Sequence, residues 1–254
     1  NLATGLMTAT AEGDPVVALG GQVPRKDLYR LTHQSTKSVA LFESITKYAV
    51  EVQDENNLSE ILANAFVAAQ DGKKGASFVS IPQDVDDAEM PEGAQALPKA
   101  EDPRMGAASL QDIKWVAEQI KAANLPVILV GQRGSDDESV VALNTLLHET
   151  NLPVVETFQG VGAIGRDLED KAFFGRIGLF RNQVGDRLLK QSDLVITLGY
   201  DAIEYEPRNW NAEKNLRIVA LDTAAAQIDN NFAPERQLIC LLYTSPSPRD
   251  GATS

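Results

Sequence analysis

The chain has 254 residues, 43% hydrophobic and 23% charged, an ordinary globular composition with room for about two domains at ~100–200 residues each. Its formal net charge of −13 repels phosphate backbones and anionic lipid, so neither nucleic acid nor a membrane surface is an expected partner. No stretch approaches the ~18 consecutive apolar residues of a spanning helix. The single cysteine, Cys240, excludes an internal disulfide, and two histidines, His33 and His148, argue against a His-based metal cluster. With no basic-then-apolar leader ahead of Asn1, the chain reads as cytoplasmic.

Helical and strand patterns alternate along most of the chain. The first helix is expected to reach Glu12 and to exit through Gly13-Asp14, followed by a strand over Pro15–Leu19. Gly20-Gly21 then leaves room for close approach of a backbone or a cofactor. Leu58, Ile61, Leu62, Ala65, Phe66 and Ala69 fall at helical spacing before Gly72, and Ser77–Ile81 is a buried strand stopped by Pro82. From about Pro91 to Met105 the pattern dissolves into Pro, Gly, Ala and charge, as a linker does.

The alternation restarts with Ser109 and Asp112 as a helix start ahead of Ile113, Val116 and Ile120. Strand Val127–Val130 ends at Gly131, and Asp136-Asp137-Glu138 opens the helix carrying Val140, Leu143 and Leu147. Strand Pro153–Val155, helix Val184–Leu189, strand Leu194–Leu198 and strand Leu216–Leu221 follow. Short apolar strands alternating with helices predict an α/β fold with parallel, doubly wound sheets. Residues 106–239 make one such Rossmann-like domain, and residues 1–90 the later part of another. Leu241–Ser254, LLYTSPSPRDGATS, has no periodicity and resembles a translated sequencing-adapter read-through, so 240–254 is expected to be a non-native tail.

Asn1-Leu2-Ala3-Thr4-Gly5, Thr32-His33-Gln34-Ser35 and Ile45-Thr46-Lys47 together resemble the pyrimidine-binding domain of acetolactate synthases, a thiamine-diphosphate-dependent family. Phe78–Val85 is similar to that domain's last strand. Gln83 stands where the anabolic, flavin-containing members carry Lys, and thus marks the catabolic, FAD-independent type. Gly175–Phe180 and Gly199–Pro207 are similar to the family's middle domain. The arginines that help hold FAD in the anabolic enzymes are absent from the second stretch.

The resemblance implies condensation of two pyruvates to 2-acetolactate and CO2, with thiamine diphosphate and Mg2+ as cofactors and FAD unlikely. It implies a homodimer or homotetramer, and a fragment lacking both ends, inactive alone. The main cofactor residues would lie outside the chain, leaving no cofactor or metal ligands to assign. Gln34 aligns with a family glutamine facing the cofactor's reactive carbon, where an amide can donate to a keto-acid oxygen. His33 either lines the same pocket or caps a loop. Read from the residues alone, Gln34 is a solvated loop glutamine.

Other features take bland readings. Gly131-Gln132-Arg133-Gly134 lacks the three-glycine nucleotide fingerprint. Asp222, at a strand end, reads as a turn residue, Glu204-Tyr205-Glu206 as a solvated loop, and Trp115 and Trp210 as packing residues. Two rival readings stay open: an FAD-containing synthase or pyruvate oxidase, and a non-catalytic nucleotide-binding module of two α/β domains.

Overall fold

The computed structural model describes residues 1–89, 96–97, 105–180, 182–240 and 242. The chain forms two compact units, Asn1–Arg104 and Met105–Ser254. Most of the linker expected over 91–105, and the expected tail apart from Cys240 and Leu242, lie outside the described residues. Among the described residues no helix is long and apolar enough to cross a membrane.

In the first unit, helix α1 (Leu2–Glu12) ends on Gly13 in the left-handed region, φ 86°, whose N–H closes on the Ala9 carbonyl. Only glycine takes that conformation at little cost, so the chain can turn there directly into β1 (Val16–Gln22). Helix α2 (Ser38–Glu43), β2 (Tyr48–Glu51), α3 (Leu58–Gln70), β3 (Ala76–Pro82) and the single turn α4 (Gln83–Asp86) follow. The strands form a parallel sheet in the order β1-β3-β2. Central β3 is buried almost throughout, which explains why its residues are apolar apart from the small Ser77 and Ser80. On one face Phe78 stacks on Phe42 of α2 at 4.1 Å, beside Leu6 and Ala9 of α1. Gly20 is where the Phe78 ring fits, because a Cβ there would lie 2.8 Å from it. Gly21 faces open space.

The second unit contains α5 (Leu110–Ala122), β4 (Pro126–Val130), α6 (Asp137–Thr150), β5 (Val154–Thr157) and β6 (Phe173–Ile177). It continues with α7 (Val184–Gln191), β7 (Leu194–Leu198), β8 (Arg217–Asp222) and β9 (Arg236–Ile239). Ser109 and Asp136 cap α5 and α6 with side-chain oxygens that accept from Asp112 N and Ser139 N. All six strands are parallel, in the order β6-β5-β4-β7-β8-β9. Numbered within the unit this is 3-2-1-4-5-6, the doubly wound dinucleotide-fold order, with its topological switch between β4 and β7. Successive residues of β4 serve opposite cores. Val127 and Leu129 pack with Leu189 of α7, while Ile128 and Val130 pack with Val116 of α5 and with Leu143 and Leu147 of α6. A sheet buried on both faces favours near-continuous apolar strands, and β4 is apolar throughout, while Glu156, Thr157 and Thr197 are the buried polar exceptions on β5 and β7. The expected parallel α/β class is the one observed. Cys240 is buried in the second of these cores, and its N–H donates to the Asp222 carbonyl.

Candidate functional site

His33 and Gln34 lie together in an exposed turn between β1 and α2. Ser35 N donates to the Thr32 carbonyl at 3.2 Å, closing a four-residue turn with Gln34 third. Gln34 has φ 65°, a left-handed backbone at a position that such turns usually give to glycine or asparagine. A non-glycine residue held there costs of order 1–3 kcal/mol, and such positions cluster at functional sites. Ser35 Oγ donates to the Arg30 carbonyl at 3.0 Å and holds the stem of the loop.

A polar cluster at the carboxyl ends of β1, β3 and β2 anchors the same loop. The buried Gln22 amide donates to Thr36 O at 2.7 Å, Ser38 Oγ at 3.3 Å and Glu51 Oε2 at 3.4 Å. Ser38 Oγ donates to Ser80 Oγ, which donates on to Glu51 Oε2 at 3.0 Å. On the far side, the Arg25 backbone N–H and Nε both donate to Asp84, at 2.9 and 2.8 Å. These bonds hold the Asp84 carboxyl below its ordinary pKa, the backbone bond contributing most. Gln83, next to Asp84, is exposed. No sequence signal marks this cluster: the strand is expected to end at Leu19, short of Gln22, and Ser38, Glu51 and Ser80 stand in no motif of their own.

In the second unit the loops after β4 and β7 meet at the topological switch. Gly131 N donates to Leu198 O at 2.9 Å and Arg133 N to Gly199 O at 3.0 Å. A Cβ on Gly131 would come within 2.5 Å of Tyr200 Cα, and one on Gly199 within 2.0 Å of Gly134 N. The glycines therefore let two protein loops approach each other. Arg133 reaches across to Asp222 with two bonds, 2.8 and 2.7 Å, and to Asp201 at 2.9 Å. Burial works against the Arg133 charge, but the bonds to Asp222 and then Asp201 outweigh it and hold its pKa above the ordinary arginine value. Asp222 is thus more than a turn residue: its carboxylate, at the end of β8, is the guanidinium's bidentate partner.

Glu204 does not sit in a solvated loop either. Its Oε1 accepts from Asp201 N at 2.9 Å, and its Oε2 from Gln132 N at 3.0 Å and from the Thr157 hydroxyl. Burial pushes its carboxyl above the usual range, opposed by the hydrogen bond from Thr157 and then by the two backbone donors. The surrounding loop is held by aromatic packing. Tyr200 donates to the Tyr205 carbonyl, Trp210 Nε1 donates to Tyr200 Oη, and both rings meet Phe232 edge-on. Trp210 is a packing residue, as its sequence suggests, and Trp115 stacks under the Arg236 guanidinium at 4.0 Å. Glu206 is the exposed member of the triplet, paired with Arg208.

Among the described residues no group of three or more His, Cys, Asp or Glu side chains is placed to hold a metal ion. Residues 113–243 match the model of the thiamine pyrophosphate enzyme central domain. Over 240 residues the chain is 49% identical to an acetolactate synthase of Bacillus subtilis, covering 94% of this chain and 41% of that protein. It is 44% identical over 239 residues to the catabolic acetolactate synthase of Raoultella terrigena, covering 94% and 42%. Identity to an acetolactate synthase of the Arabidopsis thaliana chloroplast is 27% over 238 residues, covering 92% and 35%. The chain spans about two fifths of the length of these two bacterial synthases. With more than half of its residues matched to that one model, the chain belongs to the thiamine pyrophosphate enzyme family through the central domain.

Proposed function

We propose that the chain is part of a catabolic, flavin-free acetolactate synthase, which condenses two pyruvates to 2-acetolactate with release of CO2. The carrying observation is the 49% and 44% identity to two bacterial acetolactate synthases, one of them named catabolic, against 27% for the chloroplast enzyme. In this reading the Gln34 amide donates to a keto-acid oxygen and orients the substrate, and His33 lines the same pocket. The strained, exposed turn supports that role, and the Gln22–Ser38–Ser80–Glu51 cluster anchors it to the sheet.

Thiamine diphosphate, when bound, supplies the carbanion stabilisation that decarboxylation needs. The described residues do not fit its diphosphate or Mg2+. The glycine loop after β4 is bonded to the β7 loop, and no metal-binding group of side chains is present among those residues. We therefore place both cofactors on other parts of a longer protein, and derive no step through them. The same closed loop supports a flavin-free central domain. A cytoplasmic homodimer or homotetramer completes the reading, supported by the exposed Leu19, Tyr29 and Leu31 of the first unit.

Sequencing the source DNA outward from the codons of Asn1 and Ile239, then assaying the encoded protein with pyruvate, thiamine diphosphate and Mg2+, tests the proposal. Acetolactate formed without added FAD, by a colourless protein, is the expected result, with the 254-residue chain inactive alone. Absence of acetolactate refutes the activity, and a flavin requirement refutes the type.

A further inference from the structure

A sheet of order 3-2-1-4-5-6 ordinarily receives a dinucleotide in the crevice outside the carboxyl ends of its strands, at the switch point. The phosphate there is met by backbone N–H groups that the turn leaves free. In this chain that position lies at the ends of β4 and β7, and protein atoms fill it. We infer that the Gln132 N–H, the Asp201 N–H and the Thr157 hydroxyl form an anion cradle at the switch point, and that Glu204 occupies it as an internal anion in place of a dinucleotide phosphate.

Three features support this assignment independently. Both Glu204 oxygens act as acceptors, one for Asp201 N and the other for Gln132 N and Thr157, which is the bonding of an ionised carboxylate. Thr157 is oriented for the task, since its oxygen accepts from Gly160 N at 3.0 Å while its proton goes to Glu204. The donors come from the loops after β4 and β7 and from the end of β5, so a single carboxylate ties together the three strands that would border a bound dinucleotide. Asp222, placed where a ribose-binding acid would end its strand, is likewise taken, by Arg133. The two amides, the hydroxyl and Asp222 thus each have an intramolecular partner of matching charge or donor type.

The inference deepens the flavin-free reading and rests on it, but the two fail separately. The experiment follows the thermal unfolding of the 254-residue chain by tryptophan fluorescence, for wild type, Glu204→Ala and Glu204→Gln. Each is measured in sodium chloride, acetate and phosphate at matched ionic strength. Alanine empties the cradle, so acetate and phosphate should raise the midpoint of Glu204→Ala by several degrees over chloride. Wild type and Glu204→Gln, whose side chains still fill the cradle, should show only the smaller, general stabilisation that surface-excluded salts give any folded chain. A response of Glu204→Ala to acetate and phosphate no larger than that of wild type would overturn the cradle. Should that variant fail to fold, amide exchange in the wild-type chain decides. The Gln132 and Asp201 amides should be protected like that of Arg133, and exchange at the rate of free loop amides overturns the assignment. FAD added to the wild type bears on the other reading, because a flavin retained anywhere on the chain would sink the flavin-free type whatever the variants do.

Discussion

Replacing Arg133 by methionine tests whether the closed switch point contributes to the stability of the second unit. Arg133 is 16% exposed, and its partners Asp222 and Asp201 are 7% and 13% exposed. The methionine retains most of the aliphatic contact but leaves two carboxylates in a site that water barely reaches. Removing one partner of a buried pair typically costs ~3–5 kcal/mol, mostly through the charge left uncompensated. Arg217 provides the comparison. It makes the same two-bonded grip on Glu235, at 2.9 and 3.0 Å, but the partners are 40% and 39% exposed. An ion pair so open to solvent is worth only ~0–1 kcal/mol.

Trp115 and Trp210 both lie in the second unit, so tryptophan fluorescence in a urea titration reports its unfolding separately from the first. With a urea slope of ~1–3 kcal/mol per molar, Arg133→Met should lower the midpoint by about 2 M, and Arg217→Met by a few tenths. Adding Asp222→Asn to Arg133→Met should restore part of the loss, because it removes one stranded charge. If the two single variants unfold within ~1 kcal/mol of each other, burial is not what gives the Arg133 cluster its strength, and the argument fails.

Three further outcomes are expected. Burial raises the Glu156 pKa, opposed by its bond to Arg176, so its contribution to stability is fully present below the ordinary carboxylate pKa and is lost as pH rises through the folded value. Melting curves across that range should therefore shift in favour of Glu156→Gln as pH rises; a pH-independent difference contradicts the shift. Gly199→Ala forces a Cβ to 2.0 Å from Gly134 N at φ +59° and should abolish cooperative unfolding of the second unit. Gly162→Ala, at φ +96° but in open space, should cost only about 1 kcal/mol by the same assay, and comparable effects would deny the loop contact its role. Gln34→Gly relieves a left-handed backbone, so the chain's melting midpoint should hold or rise, while acetolactate formation by the full-length enzyme falls at least tenfold. A Gln34→Gly enzyme with full activity removes Gln34 from the reaction.

The central strands were legible because a strand buried on both faces is apolar at most positions, with only small Ser or Thr side chains between. Ser77–Ile81, Val127–Val130 and Leu194–Leu198 each lie within an observed strand or coincide with one. The elements not read from sequence lack that constraint. Edge strand β9, Arg236–Ile239, buries little beyond Leu238 and carries Arg and Gln. β6 holds Gly175 at φ 93° and pairs with β5 through a register shift, which breaks any simple period. β2 and α2, at four and six residues, are too short for periodicity to register.

The candidate sites divide along a different line. Gln34 could be singled out only through resemblance, since a glutamine between polar residues has no local signature and its positive φ is invisible in sequence. Glu204 and Asp222 were legible as acids near strand ends. Asp222 does hold the turn, its Oδ1 accepting from Thr223 N and Ala224 N, but its bonds to Arg133 carry no sequence signal. The solvated-loop reading of Glu204 fails. Whether a loop carboxylate is solvated depends on what the neighbouring loop brings to it, and here that loop starts 72 residues away, at Gln132. The glycines point the same way. A glycine turn after a first strand announces that something approaches closely, but the spacing cannot say whether that is a pyrophosphate or another stretch of the same chain. In this unit the atoms 2.0–2.5 Å from the would-be Cβ positions belong to Arg133, Gly134, Leu198 and Tyr200. A dinucleotide could enter only by parting the β4 and β7 loops, breaking the backbone bonds at Gly131 and Arg133 and displacing a seated carboxylate. The strand order has thus been kept while the crevice it ordinarily creates serves to join the two halves of the sheet.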